Sequence, residues 1–211
     1  MCFLGTAVYA QHAEAPAGPG ADDSLKRLMA GNDRYVAQKM THDDQSIARR
    51  MELTGSQHPF ASVLSCSDSR VPPEVVFDQG LGDLFVVRVA GNVAPDEAVA
   101  SLEYAVDHLG PKLILVLGHQ SCGAVGATLD GGTPEGHLAS LVNRLLPAVQ
   151  KATGADRRAK LDSAVRINVL NVVEELRKSH PILDKQVADH TIRIVGGRYA
   201  LDTGRVEILY P

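Results

Sequence analysis

Leu113-Ile114-Leu115-Val116-Leu117-Gly118-His119-Gln120-Ser121-Cys122-Gly123 is an apolar run that stops at a glycine and at once presents an imidazole and a thiol. A short unbroken apolar stretch between turn signals, here Gly110-Pro111 before it and Gly118 after it, reads as a strand covered on both faces. His119 and Cys122 then fall where strand becomes loop, at the carboxyl end, which is where open α/β sheets place their ligands. One imidazole and one thiolate do not complete a metal site, so further donors must come from elsewhere in the chain.

Working outward, residues 60–65 read as a second buried strand ending on Cys66, and residues 84–90 as a third, closed by Gly91-Asn92. Residues 191–195 read as a fourth strand and 205–210 as a short final one. Helices are expected from Ser24, as N-cap, to about Gln38; within residues 40–51; for one turn at 74–77; and over 96–109, stopped by Gly110-Pro111. Three more are expected at 124–129, at 137–153 with a bend at Pro147, and at 156–179. Alternating strands and helices imply an α/β domain: a mainly parallel central sheet, about four strands plus a short edge strand, flanked by helices.

The chain has 211 residues, 45% hydrophobic and 22% charged, values of one ordinary globular domain. A net charge of −4 argues against nucleic acid as a partner, and no basic run is dense enough for a membrane surface. No apolar stretch reaches the ~20 residues of a bilayer span. Three cysteines, Cys2, Cys66 and Cys122, are too few and too scattered for a disulfide framework, which leaves metal binding or catalysis. Residues 1–10 are apolar and small, and Val8-Tyr9-Ala10 before Gln11 fits a small-residue cleavage site. Residues 13–23 are Ala/Pro/Gly-rich and read as a linker. Residues 1–23 are therefore taken as an N-terminal extension whose start favours export over a cytoplasmic location, and residues 24–211 as the catalytic domain.

Cys66 and His119 each follow a buried strand. In a parallel sheet both strand ends open on one edge, so Cys66, His119 and Cys122 can converge into a Cys₂His set with one open position, a catalytic zinc arrangement. The thiolates also gain from the positive end of the helix that starts behind Cys122. A structural zinc would need a fourth protein ligand, and only Cys2 or Asp68 is on offer. Asp68 and Arg70 lie two residues apart, a spacing at which a bidentate arginine holds a carboxylate off the metal, ionised and free to accept a hydrogen bond from bound water.

Cys66-Ser67-Asp68-Ser69-Arg70 followed by Gly118-His119-Gln120-Ser121-Cys122-Gly123 resembles the two signatures of the β-class carbonic anhydrases. The likeness runs from about Leu25 to Leu209 and takes in Gly31-Asn32-Asp33-Arg34, Leu84-Phe85-Val86-Val87-Arg88, Ala90-Gly91-Asn92, Glu103-Tyr104-Ala105-Val106 and Leu201-Asp202-Thr203-Gly204-Arg205-Val206. The resemblance implies one Zn²⁺ per chain on Cys66, His119 and Cys122, with Asp68 and Arg70 as the dyad that orients its water. It implies that Gln57 and the amide of Gly123 bind carbon dioxide or bicarbonate, and that Phe85 and Tyr104 line the carbon dioxide pocket. His58, beside Gln57, is the one other histidine of interest. The resemblance further implies active sites buried against a neighbouring subunit, hence a homodimer or a tetramer of dimers.

On that pattern the expected reaction is reversible hydration of carbon dioxide to bicarbonate and a proton by zinc hydroxide, with activity rising through mildly alkaline pH and Asp68 able to ligate zinc when the water is lost. Two departures stand out. Val89 occupies a position where many members have Asn. Val63 stands where members with a regulatory bicarbonate pocket have Trp, and the chain has no Trp, so no such inhibition is expected. The alternatives are a carbon disulfide or carbonyl sulfide hydrolase on the same scaffold and a zinc-binding or redox-sensing module in which Cys66 and Cys122 cycle to a disulfide.

Overall fold

A computed structural model of the protein describes residues 18–210. Residues 1–17, with the apolar start and the cleavage-site reading, lie outside the described residues. Five strands form one sheet: β1 (Ala61–Ser65), β2 (Leu84–Arg88), β3 (Leu113–His119), β4 (Arg193–Tyr199) and β5 (Val206–Tyr210). Their order is β2-β1-β3-β4-β5, parallel throughout except for β5, which pairs antiparallel with β4. The expected mainly parallel sheet is what forms.

The unbroken apolar run of β3 has a direct cause. Ile114 and Val116 point into one core, shared with α4 (Asp96–Tyr104), α7 (Arg157–Arg177) and α8 (Leu183–Ala188) through Leu102, Val172, Leu176 and Leu183. Leu113, Leu115 and Leu117 point into another, shared with α1 (Ala21–Val36) and α3 (Pro73–Val76) through Leu28 and Val76. A strand buried on both faces has no polar side to show.

Asn32 explains why α1 docks as it does. Its amide donates to Val76 O (3.1 Å) and Gly204 O (2.8 Å), and its Oδ1 accepts from Val206 N (2.8 Å), all beneath the surface. At Gly31 the chains come so close that a Cβ would lie 1.7 Å from Phe77 O.

Some boundaries differ from expectation. Ser24 is not an N-cap: α1 starts three residues earlier, behind Gly20, and the buried Ser24 hydroxyl donates to Phe60 O at 2.9 Å. The second helix, α2 (Ile47–Glu52), occupies only the end of its expected span, with Ser46 Oγ accepting from Arg49 N. The helix from Asp96 becomes a π turn over Ala105–Leu109 before Gly110 closes it in the left-handed region. β4 runs on through Gly196-Gly197, which reads as a turn in sequence. Small residues are needed there, because a Cβ on Gly197 would sit 3.3 Å from Leu115 Cδ1 and 3.4 Å from Val206 Cγ1. α5 (Gly123–Asp130) and α6 (Leu138–Lys151) fall close to expectation, and α8 has no counterpart in the sequence reading. No helix of the described residues is long and apolar enough to cross a membrane.

Gly118 ties fold to site. α7 crosses β3 so closely that a Cβ here would meet Val169 Cγ2 at 2.5 Å and Val165 Cγ1 at 3.3 Å. Gly118→Ala should push α7 off the strand one residue before His119 and cost about 1–3 kcal/mol, the usual penalty of overpacking, as read by urea unfolding.

Candidate metal centre

Ser65 pairs with Leu117 in the parallel register of β1 and β3, so Cys66 and His119 leave the sheet side by side at its carboxyl edge. Ser121 takes φ +54°, a left-handed turn rare outside glycine, which swings the chain back so that Cys122 sits at the N-cap of α5. The ligand atoms of Cys66, His119 and Cys122 thereby come within 4.8 Å of one another. All three residues are buried, His119 completely. An apolar lid covers them: Val125 of α5, Leu145 and Val149 of α6, and Leu161 and Val165 of α7.

The imidazole is already set for a cation. His119 Nδ1 lies 2.9 Å from Gln120 O, to which it donates, so Nε2 keeps its lone pair. That Nε2 is buried and has no hydrogen-bond partner among the described residues; Asp68 Oδ2 stands 3.7 Å away. An orphaned buried nitrogen is costly without a partner. Two thiols beside it supply the rest of a soft N/S set that fits Zn²⁺. The thiols share a hydrogen bond, which pulls the Cys66 thiol down and pushes Cys122 up; His119 and the amides of Asp68 and Gly91 add to the lowering at Cys66.

Asp68 and Arg70 form the expected dyad. Asp68 Oδ1 accepts from the Arg70 amide and from Nε, both at 2.9 Å, and Oδ2 accepts from Nη2 at 2.7 Å. These bonds hold the carboxyl well below the usual carboxylate range. Arg88, read only as part of the strand over 84–90, does more: its Nε donates to Cys66 O (3.0 Å) and its Nη2 to Asp68 O (2.5 Å), clamping the loop that carries both side chains. A charged residue closing the apolar run of β2 was the available signal. Gly91 N–H donates to Cys66 Sγ at 3.2 Å. Gly123 opens α5 with an exposed backbone, and the first amides of a helix lack intrahelical partners.

The other sequence candidates are not brought to this cluster within one chain. Gln57 and His58 are exposed on the connection before β1, at the sheet's opposite, amino edge. Phe85 pairs with Ser62, four residues short of Cys66 along β1, or roughly 13 Å at strand rise. Its ring lies 6.3 Å from that of Tyr104, which is 48% exposed and in turn 5.0 Å from the ring of His108.

Residues 61–206 match the family model described as "Carbonic anhydrase". The chain is 41% identical over 184 residues to "Carbonic anhydrase 2" of Mycobacterium tuberculosis, covering 85% of this chain and 88% of that one. It is 43% identical over 187 residues to "Carbonic anhydrase" of Mycolicibacterium smegmatis, covering 87% and 90%. Among solved structures, the Coccomyxa β-carbonic anhydrase in complex with acetazolamide aligns with TM-score 0.70 at 30% identity, over 88% of this chain and 84% of that one. A tetrameric β-carbonic anhydrase of Sordaria macrospora aligns with TM-score 0.71 at 23% identity, over 89% and 97%.

Proposed function

Since the chain belongs to the β-carbonic anhydrase family, enzymes whose general reaction is the reversible hydration of carbon dioxide, we propose that it carries out this reaction at Cys66, His119 and Cys122 with one zinc ion per chain. The observation that carries the reading is the buried, unpartnered His119 Nε2 between two thiols, with an ionised Asp68 alongside. Bound zinc supplies Lewis acidity, which makes water a nucleophile near neutral pH.

The chain's own groups do the rest. Two thiolates and a neutral imidazole bind the cation and leave the set uncharged overall, so the acidity of the site leans on Asp68. The three bonds from Arg70 keep that carboxylate ionised and occupy the lone pairs with which it would otherwise close the site. Its position, 3.7 Å from Nε2, would let its remaining acceptor site take a hydrogen bond from a water beside the cluster and orient that water toward substrate. The exposed amide of Gly123 donates to an oxygen of carbon dioxide or bicarbonate. Gln57, Phe85 and Tyr104 stand across the sheet from their own Cys66, so they serve the site of a second subunit, in a homodimer or a tetramer of dimers. Residues 24–211 make up the catalytic domain, with 1–23 as its extension.

Purified protein is expected to contain one zinc per chain and to hydrate carbon dioxide rapidly in a stopped-flow assay. Zinc without hydration would turn the proposal to carbon disulfide or carbonyl sulfide, tested on the same sample. Absence of zinc would sink it.

A further inference from the structure

A primary amide lies in the middle of the buried face of α7. Asn168 of α7 is 2% exposed, among Leu161, Ala164, Val165, Val169 and Val172. Burying an amide costs free energy unless its hydrogen bonds are made, so its place there calls for a reason. Its Nδ2 donates to Gly91 O at 2.8 Å, across 77 residues of sequence and out of reach of water. Gly91 is the residue whose N–H donates to Cys66 Sγ.

Gly91 sits at φ +69°, ψ 15°, in a turn that also closes through Asn92 N to Val89 O at 2.8 Å. The positive φ favours glycine, and a Cβ at Gly91 would lie 3.1 Å from the Leu145 methyl carbons, which would have to give way. A glycine in such a turn is easily reoriented, and an N–H aimed at sulfur gives too little energy to hold it alone. The bond from Asn168 fixes the far side of the same residue.

We propose that Asn168 is a positioning residue for the metal centre: it locks the left-handed Gly91 turn, so that the Gly91 amide stays on Cys66 Sγ and draws charge from that thiolate. The inference rests on the metal reading of Cys66, His119 and Cys122. Its chemistry is that of an outer partner that sets how strongly a ligand donates. A thiolate that gives less charge leaves the cation more acidic, in a site where two thiolates otherwise blunt it. The same turn of α7 presses Val169 toward Gly118, so one helix braces the loops after β2 and β3 together.

The test uses the full chain loaded with cobalt(II) in place of zinc, because thiolate-to-cobalt charge transfer reports thiolate charge directly. In Asn168→Leu, which keeps the number and branching of heavy atoms and removes the donor, the charge-transfer band should move to longer wavelength. Val172→Ala, a packing loss on the same helix, should lower the melting temperature and leave the band in place. An unshifted band in Asn168→Leu, whatever its melting temperature, would overturn the proposal. Should the leucine variant not fold, Asn168→Ala carries the same expectations. A wild-type chain that takes up neither cobalt nor zinc would overturn the metal reading and this inference with it. A wild type that loads metal while the variant's band stays put would overturn this inference alone.

Discussion

Cys122→Ser is expected to reduce bound zinc far below one per chain and carbon dioxide hydration to the background rate, while the fold survives. A serine hydroxyl does not ionise at neutral pH as a thiol beside a cation does, so the set loses one of its two anionic donors. The substitution is nearly isosteric, and a serine is at home at the N-cap of α5 where Cys122 sits. Far-ultraviolet circular dichroism should therefore match wild type when metal analysis does not. A variant that keeps stoichiometric zinc and wild-type turnover would refute the assignment of Cys122 as a ligand.

Asp68→Asn should behave in the opposite way: zinc retained, hydration lost. An amide nitrogen cannot accept from Arg70 Nη2 as Asp68 Oδ2 does at 2.7 Å, so the bidentate hold breaks along with the charge. The loss in kcat/KM should be about 10²–10⁴-fold, the range for a positioned proton acceptor. That corresponds to about 3–5 kcal/mol of transition-state stabilisation. Stopped-flow hydration beside a zinc assay checks it. A rate within about twofold of wild type at full zinc occupancy would make the dyad a loop staple and nothing more.

How much of this was legible in sequence depends on how local each cause is. The strands before Cys66 and before His119 were readable because their apolar runs have one cause, burial on both faces, and because parallel strands must end on the same edge. The approach of Cys66 to His119 follows from that rule, and Cys122 joins them through the left-handed turn at Ser121. Ser24 misled because a helix-capping residue type can equally serve a distant carbonyl, here Phe60 O. The π turn at Ala105–Leu109 leaves the apolar spacing almost unchanged, so periodicity passes over it. α8 has only Leu183 buried, too little pattern to read. Arg88 and Asn168 act on residues 20 to 77 positions away, and no local spacing encodes that. Gln57 and Phe85 were picked out by their motifs, and their place at the amino edge already follows from strands 60–65 and 84–90 running parallel, with Phe85 set opposite Ser62.

The centre draws its donors from two strand ends and a helix start, with Cys66 and His119 53 positions apart in the chain. An unfolded chain offers a cation only the neighbouring His119 and Cys122; Cys66 joins when β1 lies against β3. Binding free energy at the complete set is therefore folding free energy, and by mass action each rise in free metal pulls the equilibrium toward the paired sheet. A cation bound at the complete set would therefore add to the stability of a central strand pair that its own apolar core already holds closed.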